Sequence, residues 1–152
     1  MRQFSADYLD ATRRGMWEDS RAALNPLGLD ASDRVLDVGA GTGVLTRVLR
    51  DESGGEVVAL DADPDLLARV DPPRVRADAT RLPFSDDTFD VVVCQALLVN
   101  LLSPADALRE FVRISRGRVA TIEPDNSAVT IESTVEREAT LARRARAHYL
   151  DG

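Results

Sequence analysis

From Arg34 to Gly43 the chain reads Arg-Val-Leu-Asp-Val-Gly-Ala-Gly-Thr-Gly, and the rest of the sequence is organised around this stretch. Val35, Leu36 and Val38 make a short apolar run, which is typical of a strand buried on both faces. Glycines at alternate positions follow, and residues 44–50 then place apolar side chains at helical spacing. The stretch therefore predicts a strand, a tight glycine turn and a helix. Glycine lets the backbone approach a ligand closely, and the helix start offers unpaired N–H groups, so we expect a ligand at this turn.

The glycine spacing discriminates between two classes of ligand. The dinucleotide fingerprint is G-x-G-x-x-G, and Val44 stands where its third glycine should be. The turn reads G-x-G-x-G instead, with Asp37 inside the preceding strand. The run from Val35 to Gly43 thus resembles motif I of the class I S-adenosylmethionine-dependent methyltransferases. This resemblance implies that S-adenosyl-L-methionine is the cofactor and that its amino-acid portion rests on the glycine turn.

A carboxylate follows the second predicted strand, which runs from Glu56 to Leu60. Asp61 ends that strand, and in a doubly wound sheet this position lies beside the glycine turn, in the crevice where ligands bind. A carboxylate there can accept hydrogen bonds from both hydroxyls of a ribose. The resemblance implies the same role for Asp61, while the alternative is a solvated loop aspartate. Asp63 and Pro64 are predicted to start the next helix as its cap and first residue.

A third polar segment follows a short strand near Arg74–Arg76. By resemblance, Asp78 meets the amino group of the adenine, and the backbone N–H after it, that of Ala79, meets the ring. A carboxylate can accept from an exocyclic amine, and alanine is small enough for a base to lie beside it. The alternative for Asp78 is a cap on a turn.

The fourth predicted strand, Asp90–Cys94, ends near the place where related enzymes hold the sulfur and the substrate. Gln95 and Asn100 are the candidates for facing this reaction space, although packing roles fit them equally well. Cys94 follows three valines, and a lone cysteine in a strand is usually a small core residue rather than a nucleophile. The sequence assigns no catalytic base.

The predicted elements at the two ends of the chain contain residues, Tyr8 and Glu123, for which two roles stay open. Residues 5–24 predict a helix that Gly15 can break, and Tyr8 either closes over the cofactor or belongs to the core. Towards the other end, Ser103 is predicted to cap a helix that buries Leu108, Phe111 and Val112 and ends at Gly117. A fifth strand, Arg118–Ile122, precedes Glu123, which either touches substrate or is a solvated turn residue. Residues 134–150 predict a last helix.

Strands that alternate with helices predict an open, mostly parallel α/β sheet of the doubly wound, Rossmann-like type, with helices on both faces. The resemblance supplies the strand order 3-2-1-4-5 and implies two further strands, for which this sequence has no segment. We therefore expect either a truncated form of a longer protein, which the missing strands favour, or a fifth strand that is an exposed edge through which the chain can self-associate. The prediction is one domain over residues 1–152, with a helical cap (1–30), a cofactor-binding core (31–125) and a terminal helix (126–152).

Composition limits the partners. The formal net charge of −7 disfavours binding to nucleic acid, and no apolar run reaches the ~20 residues that span a bilayer. With one cysteine and one histidine, a structural metal site is not expected. The single cysteine is compatible with a reducing cytoplasm. The predicted function is methyl transfer to a small-molecule acceptor. The alternatives are a non-catalytic cofactor-binding module and a nicotinamide-dependent oxidoreductase. The candidate cofactor-binding residues are Tyr8, Asp37, Gly39, Ala40, Gly41, Gly43, Asp61, Ala62, Asp78, Ala79 and Gln95.

Overall fold

The computed structural model describes residues 5–13 and 15–124, and its centre is a five-stranded sheet. All neighbouring strands are parallel, and their order is 3-2-1-4-5. The predicted fold class and strand order are therefore confirmed. The strands are β1 (Arg34–Val38), β2 (Glu56–Asp61), β3 (Arg74–Arg76), β4 (Phe89–Gln95) and β5 (Ser115–Ile122).

Helices cover both faces of the sheet because alternate residues of each strand point to opposite sides. The helices are α1 (Ala6–Arg13), α2 (Val44–Ser53), α3 (Pro64–Leu67) and α4 (Pro104–Ile114), and a 3₁₀ helix spans Ala22–Leu27. On one face α2 and Trp17 pack on the sheet, with Leu24, Val35, Leu45, Leu49, Val57, Val91 and Val93 buried there. On the other face α4 packs, with Leu36, Val38, Val58, Phe89, Val92, Cys94, Phe111 and Ile114 buried.

The predicted N-terminal helix is shorter than the sequence indicated. It ends at Arg13, and Gly15 then takes a positive φ of +76°, which breaks the helix as its glycine suggested. The 3₁₀ helix that follows ends at Gly28. By contrast, Asp63 caps α3 as predicted, because its Oδ1 accepts from Asp65 N at 2.9 Å.

The predicted buried stripe of α4 is confirmed for Phe111 and wrong for Leu108 and Val112. Leu108 and Val112 are 37% and 65% exposed, whereas Ala107, Phe111 and Ile114 are buried. These three lie at i, i+4 and i+7, so they form one continuous face of the helix. Ser103 stands at the cap position but makes no side-chain capping bond there.

The boundary between α4 and β5 also differs from the prediction. The helix ends at Ile114, so Gly117 lies within β5 instead of ending the helix. A Cβ on Gly117 would be 2.5 Å from the carbonyl oxygen of Asp90, and this close approach explains the glycine. The predicted helix over residues 134–150 lies outside the described residues, and the division into cap, core and terminal helix stays a prediction. None of the helices within residues 5–13 and 15–124 is long and apolar enough to cross a membrane.

Candidate cofactor site

A cavity of about 350 Å³ opens at the carboxyl edge of the sheet, where β1, β2 and β4 end. Its position matches the crevice in which open α/β sheets bind ligands, and its volume lies in the range of small-molecule sites. Six of the eleven candidate residues line it: Gly39, Gly41, Asp61, Ala62, Asp78 and Ala79. The remaining lining residues are Leu9, Arg13, Leu60, Asp63, Pro64, Asp65, Leu66, Arg76, Ala77, Ala96, Leu97 and Asn100.

The glycine turn forms the floor of this cavity and is fixed to β2. The N–H groups of Gly39 and Ala40 both donate to the carbonyl oxygen of Leu60, at 2.8 and 2.9 Å. Gly41 has a φ of +56°, and a Cβ there would lie 3.2 Å from Arg13 Nη1 and from Leu9 Cδ1. The backbone of Gly41 therefore faces the cavity without a side chain in the way.

Asp61 connects the end of β2 to the glycine turn. Its Oδ2 accepts from Gly41 N at 2.8 Å, and its Oδ1 accepts from Asp63 N at 2.9 Å. Each carboxylate oxygen has two acceptor sites, so each keeps one for a ligand after these backbone bonds. The carboxylate lines the cavity, and the solvated-loop alternative is wrong because Asp61 is buried.

Asp37 lies beneath the turn rather than in the cavity. Its Oδ2 accepts from Thr46 Oγ1 at 2.6 Å, which ties β1 to the first turn of α2. Burial raises the pKa of Asp37 to about 6, although the Thr46 hydroxyl and the charge of Arg13 oppose the shift. Asp37 thus supports the site from below.

We expect Asp37→Asn to remove part of the pH dependence of stability. Below its ordinary pKa of 3.8, Asp37 is protonated in both the folded and the unfolded state. Between about 4 and about 6 only the folded state keeps the proton, so the free energy of unfolding falls as pH rises, by roughly 2–3 kcal/mol in total. Asparagine keeps an acceptor for Thr46 and does not titrate. Urea denaturation of wild type and variant from pH 4 to pH 7 measures this, and equal slopes would contradict the assignment.

Asp78 caps a turn, which was the alternative predicted for it. It also lines the cavity. Its Oδ1 accepts from the backbone N–H and from the hydroxyl of Thr80, both at 2.8 Å. These two bonds hold the pKa of Asp78 below its ordinary value. Both use the same oxygen, and among the described residues none donates to Oδ2. The carboxylate is therefore ionised and keeps acceptor sites toward the cavity mouth.

Tyr8 is not the residue of α1 that covers the cavity. Its side chain is 53% exposed, while Leu9 and Arg13 line the cavity. Residues four apart share one face of a helix, so Leu9 and Arg13 point inward together and Tyr8 points aside. The hydroxyl of Thr42 donates to Asp10 at 2.7 Å and fastens α1 to the glycine turn. The i, i+4 spacing pairs Leu9 with Arg13, but it does not tell from the sequence which face of α1 meets the cavity.

The last three candidate residues are close to the cavity but do not line it. Ala40 is buried beside Leu67 and Val70, under the turn. Gly43 begins α2, and a Cβ there would be 3.0 Å from Val70. The side chain of Gln95 is buried, and its Nε2 donates to Met16 Sδ at 2.6 Å on the opposite side of the strand end.

Cys94 and Glu123 meet behind the cavity. Cys94 is fully buried, as predicted, and its burial, together with the charge of Glu123, raises the pKa of its thiol. The thiol is therefore uncharged at neutral pH, which excludes the role of an activated nucleophile. Glu123 is partly buried at the end of β5, and its carboxylate accepts from backbone N–H groups, so the solvated-turn alternative is wrong. Contact with the substrate stays a prediction.

Sheet order, a glycine turn after β1 and an acidic residue ending β2 together define the architecture of a class I methyltransferase. A family described as "Methyltransferase domain" matches residues 36–121, and the chain belongs to this family. The resemblance read from the sequence is thereby confirmed at the level of the family.

Individual relatives agree with this class. The chain is 39% identical over 137 residues to the demethylmenaquinone methyltransferase of Mycolicibacterium paratuberculosis, which covers 84% of this chain and 58% of that protein. It is 38% identical over 117 residues to the protein of the same name from Corynebacterium urealyticum, covering 74% and 50%. The chain thus spans only about half the length of these relatives. A SAM-dependent methyltransferase from Aquifex aeolicus superposes with a TM-score of 0.69 over 95% of this chain and 88% of that chain, at 20% identity, which shows the fold alone.

Proposed function

We propose that the cavity binds S-adenosyl-L-methionine and that the protein transfers the methyl group of this cofactor to a small-molecule acceptor. The observation that carries the proposal is the convergence of Gly41, Asp61 and Asp78 on one cavity at the carboxyl edge of the sheet. The sulfonium of the cofactor supplies an already activated methyl group. The protein therefore has mainly to align the acceptor, and alignment can be worth roughly 7–11 kcal/mol.

The lining residues match the polarity of the cofactor from end to end. The guanidinium of Arg13 lies beside Gly41, where it offers a positive charge to the carboxylate of the amino-acid portion. Asp61 keeps one acceptor site on each oxygen for the two ribose hydroxyls. Asp78 offers Oδ2 to the amino group of the adenine, and the small side chain of Ala79 leaves room for the ring. In this proposal Asp37, Ala40, Gly43 and Gln95, which do not line the cavity, support its walls.

The acceptor is proposed at the level of its class. The two relatives are named for demethylmenaquinone, so a small organic acceptor is the class that their names support. A net charge of −7 argues against nucleic acid as the acceptor. The cytoplasmic location belongs to the same proposal, and it is supported by the single cysteine, which is buried and free.

Calorimetric titration tests the cofactor, with S-adenosylmethionine, S-adenosylhomocysteine and NADH added in separate experiments. We expect saturable binding of both sulfur compounds and none of NADH. Saturable NADH binding without a response to either sulfur compound would refute the assignment. A screen of small acceptors, including demethylated quinones, with cofactor labelled in its methyl group then tests transfer. Binding without transfer to any acceptor would favour the non-catalytic module.

Self-association through β5 is a separate expectation. Within residues 5–13 and 15–124, β5 pairs with β4 on one side only, so the backbone groups of its other side lack a neighbouring strand. Such an edge can pair with a second chain. We expect light scattering to report a mass that rises with protein concentration, together with slowed amide exchange in Arg118–Ile122. A constant monomer mass over the whole concentration range would contradict this expectation.

A further inference from the structure

Glu123 places its carboxylate against a segment that is far from it in sequence. Its Oε1 accepts from Leu97 N at 3.2 Å and from Leu98 N at 3.0 Å, and its Oε2 accepts from Val99 N at 3.4 Å. The thiol of Cys94 lies 3.8 Å from Oε1. One carboxylate therefore gathers three successive backbone N–H groups, which belong to the segment that follows β4.

That segment, residues 96–100, is a wall of the cavity, and we call it the wall segment. Its residues Ala96, Leu97 and Asn100 line the cavity. The side chain of Leu97 also fills the space beside Gly39, where a Cβ would lie 2.9 Å from Leu97 Cδ1. A shift of the wall segment would therefore change both the wall and the floor on which the cofactor is proposed to rest.

Leu97 anchors the wall segment in the core, and Asn100 Nδ2 donates to Ala96 O at 2.9 Å within it. Among the described residues, Glu123 is the side chain that accepts from its backbone N–H groups. Ala96 takes a φ of +49°, which is unfavourable for a residue with a Cβ. The residue before the 3₁₀ helix Leu98–Asn100 is Leu97, whose apolar side chain has no acceptor to cap the helix. The N–H groups at the start of a helix need acceptors from outside it, and a carboxylate is the strongest acceptor among the side chains. The remaining bond to β5 joins Ala96 N to the carbonyl oxygen of Ile122, at 2.8 Å.

We propose that Glu123 is a positioning residue of the cofactor cavity: its carboxylate fixes the wall segment through the N–H groups of Leu97, Leu98 and Val99. The cofactor part of this inference rests on the proposed function. Glu123 itself does not line the cavity, so its effect on binding passes through the wall segment. The end of β5 is thereby coupled to the cavity formed at the ends of β1 and β2.

Two substitutions in the full 152-residue chain test the inference. Glu123→Ala removes all three acceptors and should weaken binding of S-adenosylhomocysteine by about tenfold to a hundredfold. Glu123→Gln keeps the shape and one acceptor oxygen. Its amide oxygen can serve Leu97 and Leu98, while its NH₂ group faces the N–H of Val99. We expect an intermediate loss of affinity for glutamine, about threefold to tenfold. Glu56→Gln, at the amino end of β2 and therefore at the end of the strand away from the cavity, is the matched control and should bind like wild type.

Amide hydrogen exchange, measured by NMR in the ligand-free proteins, separates this inference from the proposed function. Glu123→Ala should speed exchange at Leu97, Leu98 and Val99 and leave Val92 in β4 protected. Glu123→Gln should speed exchange mainly at Val99. Unchanged exchange at these three amides, or affinity equal to that of the Glu56→Gln control, would overturn the inference. If wild type binds neither sulfur compound, the proposed function fails, and the exchange pattern still decides whether Glu123 holds the wall segment.

Discussion

Gly41→Val is expected to weaken cofactor binding by roughly tenfold to a hundredfold while the sheet remains folded. A Cβ at this position would already be 3.2 Å from Arg13 Nη1 and Leu9 Cδ1, and valine adds two methyl groups beyond it. Overpacking of this kind typically costs about 1–3 kcal/mol, and each 1.4 kcal/mol is tenfold in affinity. To relieve the crowding, either α1 moves away from the turn or the valine side chain moves into the cavity. Both changes lower the affinity for the cofactor.

The matched control is Gly54→Val. Gly54 ends the same helix that the glycine turn begins, and its φ of +62° is close to the +56° of Gly41. The nearest atom to a Cβ on Gly54 is 4.0 Å away, on Ala31, so only the backbone strain is shared. Both variants should lose thermal stability, but only Gly41→Val should lose affinity in the calorimetric titration. Equal loss of affinity in both would show that strain in α2, rather than the position of Gly41, controls binding.

The sheet was predictable because its strands carry a strong local signal. The run Val91–Cys94 is apolar on both faces, and Val35–Val38 is apolar except for Asp37; a strand covered by helices on two sides buries such runs. The glycine turn predicted that a helix follows β1. The family resemblance supplied the strand order. Each of these signals lies within about ten residues of sequence, so no tertiary contact was needed to read it.

The face of α4 was not predictable in the same way. Leu108, Phe111 and Val112 are the large apolar residues of the helix, and the sequence pattern favoured them together. The structure buries Phe111 with Ala107 and Ile114 instead. The choice between two overlapping stripes depends on how the helix is rotated when it packs on β4 and β5. That rotation is a property of the tertiary packing and has no separate signature in eleven residues of helix.

The residues of the cofactor site also fall into two groups: some were predictable from local sequence, and others depend on tertiary packing. Asp61 and Asp78 follow strands directly, so the rule that ligands bind at carboxyl ends of strands located them. Arg13 reaches the cavity from a helix that precedes the sheet, and it became visible only when the rotation of α1 was known. Glu123 acts across 24 to 26 residues of sequence, through the register that places β5 beside β4. A contact of that kind cannot be read from residue spacing.

Asp61→Ala is expected to weaken binding of S-adenosylmethionine by about tenfold to several hundredfold. Hydrogen bonds to charged groups are worth about 1.5–3 kcal/mol each, and the carboxylate is proposed to accept from both ribose hydroxyls. Alanine also removes the acceptor for Gly41 N, which Asp61 holds at 2.8 Å. The loss of affinity thus combines a lost contact with a loosened glycine turn. Asp61→Asn should have a milder effect because it keeps one acceptor oxygen.

A 2′-deoxy analogue of the cofactor separates these two contributions. Wild type should bind the analogue more weakly than the natural cofactor, because one hydroxyl bond is missing. The alanine variant should bind both almost equally, because it has no carboxylate to recognise the hydroxyl. Asp63→Ala serves as the control: Asp63 also lines the cavity, but its Oδ1 caps α3, so this variant should discriminate as wild type does. If Asp61→Ala still discriminates as strongly as wild type, Asp61 supports the turn and another group holds the ribose.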